Sequence, residues 1–254
     1  MSLLTNENIR EVVNKYLLYN DNIQSDIIKE YGEINNWNVS NVTDMNQLFK
    51  DYEYFNENIS EWDVSNVINM QEMFHNATHF NQPLNNWNVS NVINMNGIFY
   101  NAKSFNQNIS GWNVSKVIDM SYMFYNAESF NQPLNNWTVS NVINMIYMFW
   151  YSKSFNQPLN KWDVSQVKNM KYMFAGTSFN HPLNKWDVSN VITMIGMFQN
   201  VTFFTQDISN WNTSKVIDIY YITHDGYFND NIVEYISNSS LDYYGNTSLG
   251  YVDY

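Results

Sequence analysis

The sequence predicts an α/β repeat solenoid: a right-handed coil of short parallel strands and short helices, closed by a helical N-terminal cap. Two observations carry this. Tryptophans fall at 37, 62, 87, 112, 137, 162, 186 and 211, a spacing of 25 residues with one interval of 24, and a fixed period in this range marks a repeat architecture. Other residues keep phase with them: methionine at 45, 70, 95, 120, 145, 170 and 194, one phenylalanine series at 49, 74, 99, 124, 149, 174 and 198, and a second at 55, 80, 105, 130, 155, 179 and 204. Each unit of such an array contacts mainly its neighbours, so the 254 residues count coils rather than domains.

Three segments follow: a helical cap over 1–31, the array of about seven units over 32–218, and an aromatic-rich C-terminal cap over 219–254. In the first, Ile9, Val12, Val13, Tyr16 and Leu17 have helical spacing, with Thr5 or Asn6 as N-cap; a second short helix is expected over Ser25–Tyr31, stopped by Gly32. Caps are expected because a bare end coil exposes apolar side chains and unpaired backbone.

Within a unit, Trp137 and Val139 alternate with polar residues, which suits a short strand. The run Leu134, Trp137, Val139, Val142 has the spacing of a leucine-rich-repeat strand segment with Trp in a Leu slot. Met145, Met148 and Phe149 lie at i, i+3 and i+4 and read as a short helix. Asn144, like Asp44 and Asp119, stands where it accepts from the free N–H groups at that helix start. All four prolines (Pro83, Pro133, Pro158, Pro182) share one slot, an extended corner whose N–H the ladder does not need. The Asn at 56, 81, 106, 131, 156 and 180 is expected to bond turn backbone in its own or the adjacent coil.

Composition removes several function classes. The net charge is −12, with one arginine (Arg10) and eleven lysines, so no basic stripe exists to displace counterions from nucleic acid or to meet an anionic membrane. The absence of cysteine excludes disulfides, thiolate metal sites and cysteine nucleophiles. The N-terminus lacks a signal-peptide pattern and no stretch reaches membrane-span length, so the expectation is a soluble, cytoplasmic protein, or one in the host cell or virion if the source is viral. The many Asn-x-Ser/Thr triplets arise from the repeat itself and are not read as glycosylation sites.

The run Trp-Asp/Asn-Val-Ser-Asn-Val-x-Asn/Asp-Met-x-x-Met-Phe, followed by Ala-x-x-Phe-Asn-Gln-Pro-Leu-Asn, resembles the 25-residue repeat of BspA-like proteins over residues 30 to 218. The best-known branch of that family is the mycoplasma surface-lipoprotein repeat, and relatives occur in giant DNA viruses and protists. The resemblance implies a leucine-rich-repeat-like solenoid linked with adhesion or host contact. It carries no catalytic residues. The bacterial surface type also has a signal peptide and a lipid-anchor cysteine, neither of which is expected here.

The expected function is therefore non-catalytic: a repeat scaffold for protein–protein interaction, with a carbohydrate-binding surface adhesin as the alternative. No catalytic, cofactor or metal site is assigned. His75 and His79 have metal-compatible spacing, but no other unit repeats them. The candidate partner-binding residues are aromatic. Tyr122, Tyr147 and Tyr172 share the slot before the Met-Phe pair, and Tyr100, Tyr125 and Trp150 share the slot after Phe, forming two columns on the helical side. Tyr and Trp are favoured at interfaces, so these columns suit a protein partner or self-association. The candidate polar strand face comprises Asp63, Thr138, Asp163 and Asp187, where a glycan or cation would meet the array.

Overall fold

The 25-residue phase seen in the residues reappears as a hydrogen-bond register between units. In the computed structural model, which describes residues 2–18, 20–201 and 204–218, single residues pair in parallel from one unit to the next. Asp44 pairs with Asn69, Asn69 with Asn94, Asn94 with Asp119, Asp119 with Asn144, Asn144 with Asn169, Asn169 with Thr193, and Thr193 with Asp218. The expected C-terminal cap, 219–254, lies outside the described residues.

The interior of the unit differs from the expected strand and helix. Among the described residues past Asn36, the backbone forms isolated bridges and successive turns. Trp137–Val139 is not a strand, and Met145–Phe149 is not a helix. Instead, alternate N–H groups point in different directions. Met145, Tyr147, Phe149 and Tyr151 donate to Asn169, Lys171, Met173 and Ala175 of the next unit at 2.8–3.0 Å. Met148, Trp150 and Ser152 donate three residues back, to Met145, Tyr147 and Phe149, at 2.9–3.2 Å. An α-helix needs those donors at i−4, so once the neighbouring unit takes every second one, only consecutive turns remain. The i, i+3, i+4 spacing still turns Met145, Met148 and Phe149 inward, all fully buried. Apolar spacing alone does not distinguish the two conformations.

The cost of this arrangement is visible in the backbone. Two positions per unit adopt the left-handed region, for example Tyr147 at φ 55° and Tyr151 at φ 53°. A side chain there costs about 1–2 kcal/mol. Two units place glycine in the first slot, Gly97 and Gly196, and several place Asn in the second, the residue types that tolerate this region best.

Side chains complete the register. Asn144 Oδ1 accepts from the Ile146 N–H at 3.2 Å, a turn closure rather than a helix cap. The Asn column behaves as its position suggests: Asn106 Oδ1 accepts the Asn131 N–H, and Asn131 Oδ1 accepts the Asn156 N–H, each at 2.9 Å. Each tryptophan of the series from Trp62 to Trp211 ties two units. The Trp137 indole N–H donates to the Ile109 carbonyl at 3.1 Å and Trp162 donates to Leu134 at 2.9 Å, while Trp112 and Trp137 stack at 6.4 Å. A leucine would fill the space but remove the second of the carbonyl's two donors, the first being a backbone N–H (Trp112 to Ile109 at 3.0 Å). Beside buried valines, leucines and methionines, phenylalanines stack within a unit (Phe149–Phe155, 4.0 Å) and between units (Phe149–Phe174, 5.7 Å).

The cap consists of α1 (Ile9–Tyr16) and α2 (Asp21–Tyr31), followed by one 3-10 turn, Ile34–Asn36. The second helix starts earlier than expected because Asn20 caps it, accepting from the Ile23 N–H at 3.2 Å; Gly32 ends it at φ 82°. Asn8, not Thr5 or Asn6, stands at the N-cap of α1. Asn6 instead closes the first unit, its Oδ1 accepting from the Thr43 and Asp44 N–H groups at 2.9 and 3.1 Å. Arg10 donates to the Asn46 carbonyl at 3.0 Å, and Tyr16 packs edge-on against Trp37 at 5.3 Å. The cap thus supplies the hydrogen bonds that a preceding unit would have made.

Candidate interaction surface

All six aromatic candidates come together in one band. Along one column, Tyr100 stacks on Tyr125 at 4.2 Å and 5°, and Tyr125 on Trp150 at 4.3 Å and 18°. Along the other, Tyr122, Tyr147 and Tyr172 stack at 5.2 and 5.1 Å. The columns touch: Tyr122 lies 6.0 Å from Tyr125, and Tyr147 meets Trp150 edge-on at 6.2 Å. Each of the six is half-buried, so ring faces pack on one another while edges reach the surface.

The band has two members that sequence reasoning missed. His75 heads the first column, parallel to Tyr100 at 4.2 Å and 1°, and Tyr151 extends it, 4.2 Å from Trp150. The shared slot of His75 and Tyr100, one position after Phe, was the available signal. The far end of the other column lies over a glycine: a Cβ on Gly196, at φ +57°, would sit 2.1 Å from the Tyr172 ring.

Burial sets the electrostatics. It raises the Tyr125 phenol well above the usual range, helped by the hydrogen bond with Tyr100. It pushes Tyr147 up to about 12, with smaller contributions from Tyr172 and Tyr122. His75 is held below the ordinary imidazole value, first by burial and then by the Lys50 ammonium, so its ring stays neutral near pH 7. Beside it, Lys50 and Glu72 form an ion pair at 2.6 Å.

The polar candidates are engaged locally. Asp63, Asp163 and Asp187 are exposed, and each Oδ1 accepts from the N–H two residues on, Ser65, Ser165 and Ser189, at 3.0–3.1 Å. Those bonds with serine lower the Asp63 and Asp187 carboxyls. Thr138 fills the same slot and is exposed. His79 stacks on Tyr54 at 4.8 Å, apart from the His75–Tyr100 pair. Among the described residues, no three His, Asp or Glu side chains converge as metal ligands, and no helix is long and apolar enough to cross a membrane.

A second surface was not anticipated. Ile68, Ile93, Ile118, Ile143, Ile192 and Ile217 share one slot and are 41–69% exposed, with Thr43 and Lys168 in the same column. Their backbones form a ladder, Ile93 N–H to Ile68 O and Ile118 N–H to Ile93 O at 2.9 and 3.0 Å. In the sequence this isoleucine follows a buried valine and precedes the bridge residue, so it reads as one more core position.

With the register and band in place, comparison with known proteins is informative. The profile of the family described as "Mycoplasma protein of unknown function, DUF285" matches residues 19–137 and 120–235. The chain belongs to this family. The two matches cover all but the ends of the chain, so the aromatic band and the isoleucine column both lie on DUF285 repeats. Neither the curated proteins nor the solved structures return a match.

Proposed function

We propose that this DUF285 chain is a non-catalytic repeat scaffold that holds a protein partner. Its architecture is proposed to be a right-handed, leucine-rich-repeat-related solenoid of the BspA-like type. The parallel pairing of the same slot in successive units supports that architecture.

The observation that carries the function is the continuity of the aromatic band. The repeat requires none of these rings: the same slots hold Gln47, Glu72, Gly97 and Gly196 in one column, and Lys50, Ala175 and Gln199 in the other. The three tyrosines of the first slot, Tyr122, Tyr147 and Tyr172, occupy left-handed backbone at φ 52–58°, as Gln47 and Glu72 do in other units. Strain of this kind, held in place by its surroundings, is a reason to look for function. The ring faces are stacked against one another, which favours a protein surface over a sugar, whose C–H groups need a free face. The aspartates a glycan would use are engaged in turns.

The test sets glycan arrays against affinity capture with mass spectrometry, both on the full chain. The scaffold reading expects a defined protein partner and no glycan signal above background. Selective glycan binding, or turnover of a small molecule, would replace it.

A further inference from the structure

The isoleucine column and the lysines beside it form a second surface, distinct from the aromatic band. Lys168 stands in the column itself, and Lys116 and Lys215 share the neighbouring slot, each donating to the Asn of the preceding unit (Asn91 and Asn190) at 2.7 Å. These three cations fall on every second unit, about 10 Å apart at the usual inter-strand spacing of ~4.8 Å. All three are exposed.

Among the described residues, five lysines elsewhere are held by carboxylates, whereas Lys161, Lys171 and Lys185 are not. Lys15 and Lys29 pair with Glu11 and Asp26, Lys50 with Glu72, and Lys103 and Lys153 with Glu128. Among the described residues, Lys116, Lys168 and Lys215 form no ion pair. Two of the carboxylates beside the column in sequence are engaged elsewhere: Asp44 lies 3.5 Å from the Arg10 guanidinium, and Asp119 accepts from both the Ser121 N–H and hydroxyl. In a chain of net charge −12, this places Lys116 and Lys168, neither in an ion pair, along an exposed aliphatic ridge, while Lys215 acts on the Asp187 carboxyl and helps to lower it. Near the cap the column deepens into a groove of about 690 Å³, lined by Ile68, Ile93, Lys116, Asn66 and Asn91 among others.

From this juxtaposition we infer that the column binds an extended peptide segment that alternates aliphatic and acidic side chains. Its aliphatic groups would cover Ile68, Ile93, Ile118 and Ile143, and its carboxylates would meet Lys116 and Lys168. The groove lining contains no aromatic ring, which disfavours a sugar. Extended apolar exposure rimmed by polar groups marks interaction sites, and the lysines set the sign of the partner.

The test uses isoleucine-methyl NMR on the full chain with three synthetic peptides. One repeats Asp-Val-Asp-Ile, one replaces Asp by Lys, and one replaces Val and Ile by Ser. The first is expected to shift the methyls of Ile68, Ile93, Ile118 and Ile143; the other two leave them unmoved. The double variant Lys116→Gln/Lys168→Gln changes only exposed side chains and is expected to weaken binding about tenfold and flatten its salt dependence. Tyr147→Ala/Trp150→Ala leaves this binding intact, which separates it from the band. Equal shifts with the lysine peptide, no shift with the acidic one, or the same shifts with a sialylated oligosaccharide would each overturn the inference. So would methyl shifts that follow protein concentration without peptide, which would mark a second copy as the occupant.

Discussion

Replacing Tyr147 by alanine and, separately, by glycine isolates the backbone strain beneath the aromatic band. Both variants lose the stacked contacts with Tyr122 and Tyr172 at 5.2 and 5.1 Å. At about 0.5–1.5 kcal/mol per aromatic pair, each variant falls roughly 1–3 kcal/mol below the parent. The two then separate. Tyr147 has φ 55°, where alanine carries a penalty of about 1–2 kcal/mol that glycine avoids. Glycine in turn loses about 0.5–1 kcal/mol through the greater freedom of its unfolded chain. The glycine variant should therefore be more stable than the alanine variant by about 0.5–1 kcal/mol, the reverse of the order at an ordinary position. Urea unfolding, followed by both tryptophan fluorescence and far-UV circular dichroism, measures the difference; the two probes must coincide, because long repeat arrays can lose two-state behaviour. An alanine variant as stable as the glycine variant, or more so, would refute the left-handed assignment and the strain argument built on it.

Other predictions address the register, the core and pH. Trp137→Phe removes the indole donor from the Ile109 carbonyl, which keeps the Trp112 N–H, and should cost about 0.5–1.5 kcal/mol in urea unfolding beyond any packing change. Phe124→Ala, at a fully buried ring, should cost about 3–5 kcal/mol. Asn6→Ala removes the acceptor for two backbone N–H groups of the first unit; hydrogen exchange should speed up at Thr43 and Asp44 while units distant from the cap are unchanged. The Tyr147 phenol is pushed up to about 12, and a raised folded value means that the neutral form is favoured by folding. Its stabilising contribution is complete below the unfolded value of about 10 and is lost as the pH rises through the folded value. Melting temperatures measured at pH 8 and pH 11 should drop less in Tyr147→Phe than in the parent.

How far the sequence could be read follows from what each residue reports. Trp137, Met145 and Phe149 recur because each fills the same buried place in its unit, so their period transmits the register directly. The Asn at 106 and 131 was legible as a backbone partner because one polar residue repeated among apolar neighbours needs a fixed acceptor or donor. The conformation of Met145–Phe149 was not legible. Apolar residues at i, i+3 and i+4 face one side in a helix and in consecutive turns alike, and the deciding factor is donation from Met145, Tyr147 and Phe149 to the next unit. A hint was present, since Gly97 and Gly196 stand in the slot of Tyr147 and glycine is disfavoured inside a helix. The exposure of Ile118 and Ile143 was not legible for a related reason: a hydrophobic residue next to Val117 or Val142 looks like core, yet the bridge turns it outward. The six aromatic candidates were legible because they break the repeat. His75 was not grouped with them because its pairing with His79 suggested metal chemistry first.

The most direct test of the account compares two paired variants for affinity toward the captured partner: Tyr147→Ala/Trp150→Ala in the band, and Thr138→Ala/Asp163→Asn on the polar face. If the band is the binding surface, the first pair lowers affinity at least about tenfold, as expected for buried aromatic anchors, and the second leaves it unchanged. Full affinity in the first pair, or a loss confined to the second, would contradict the account.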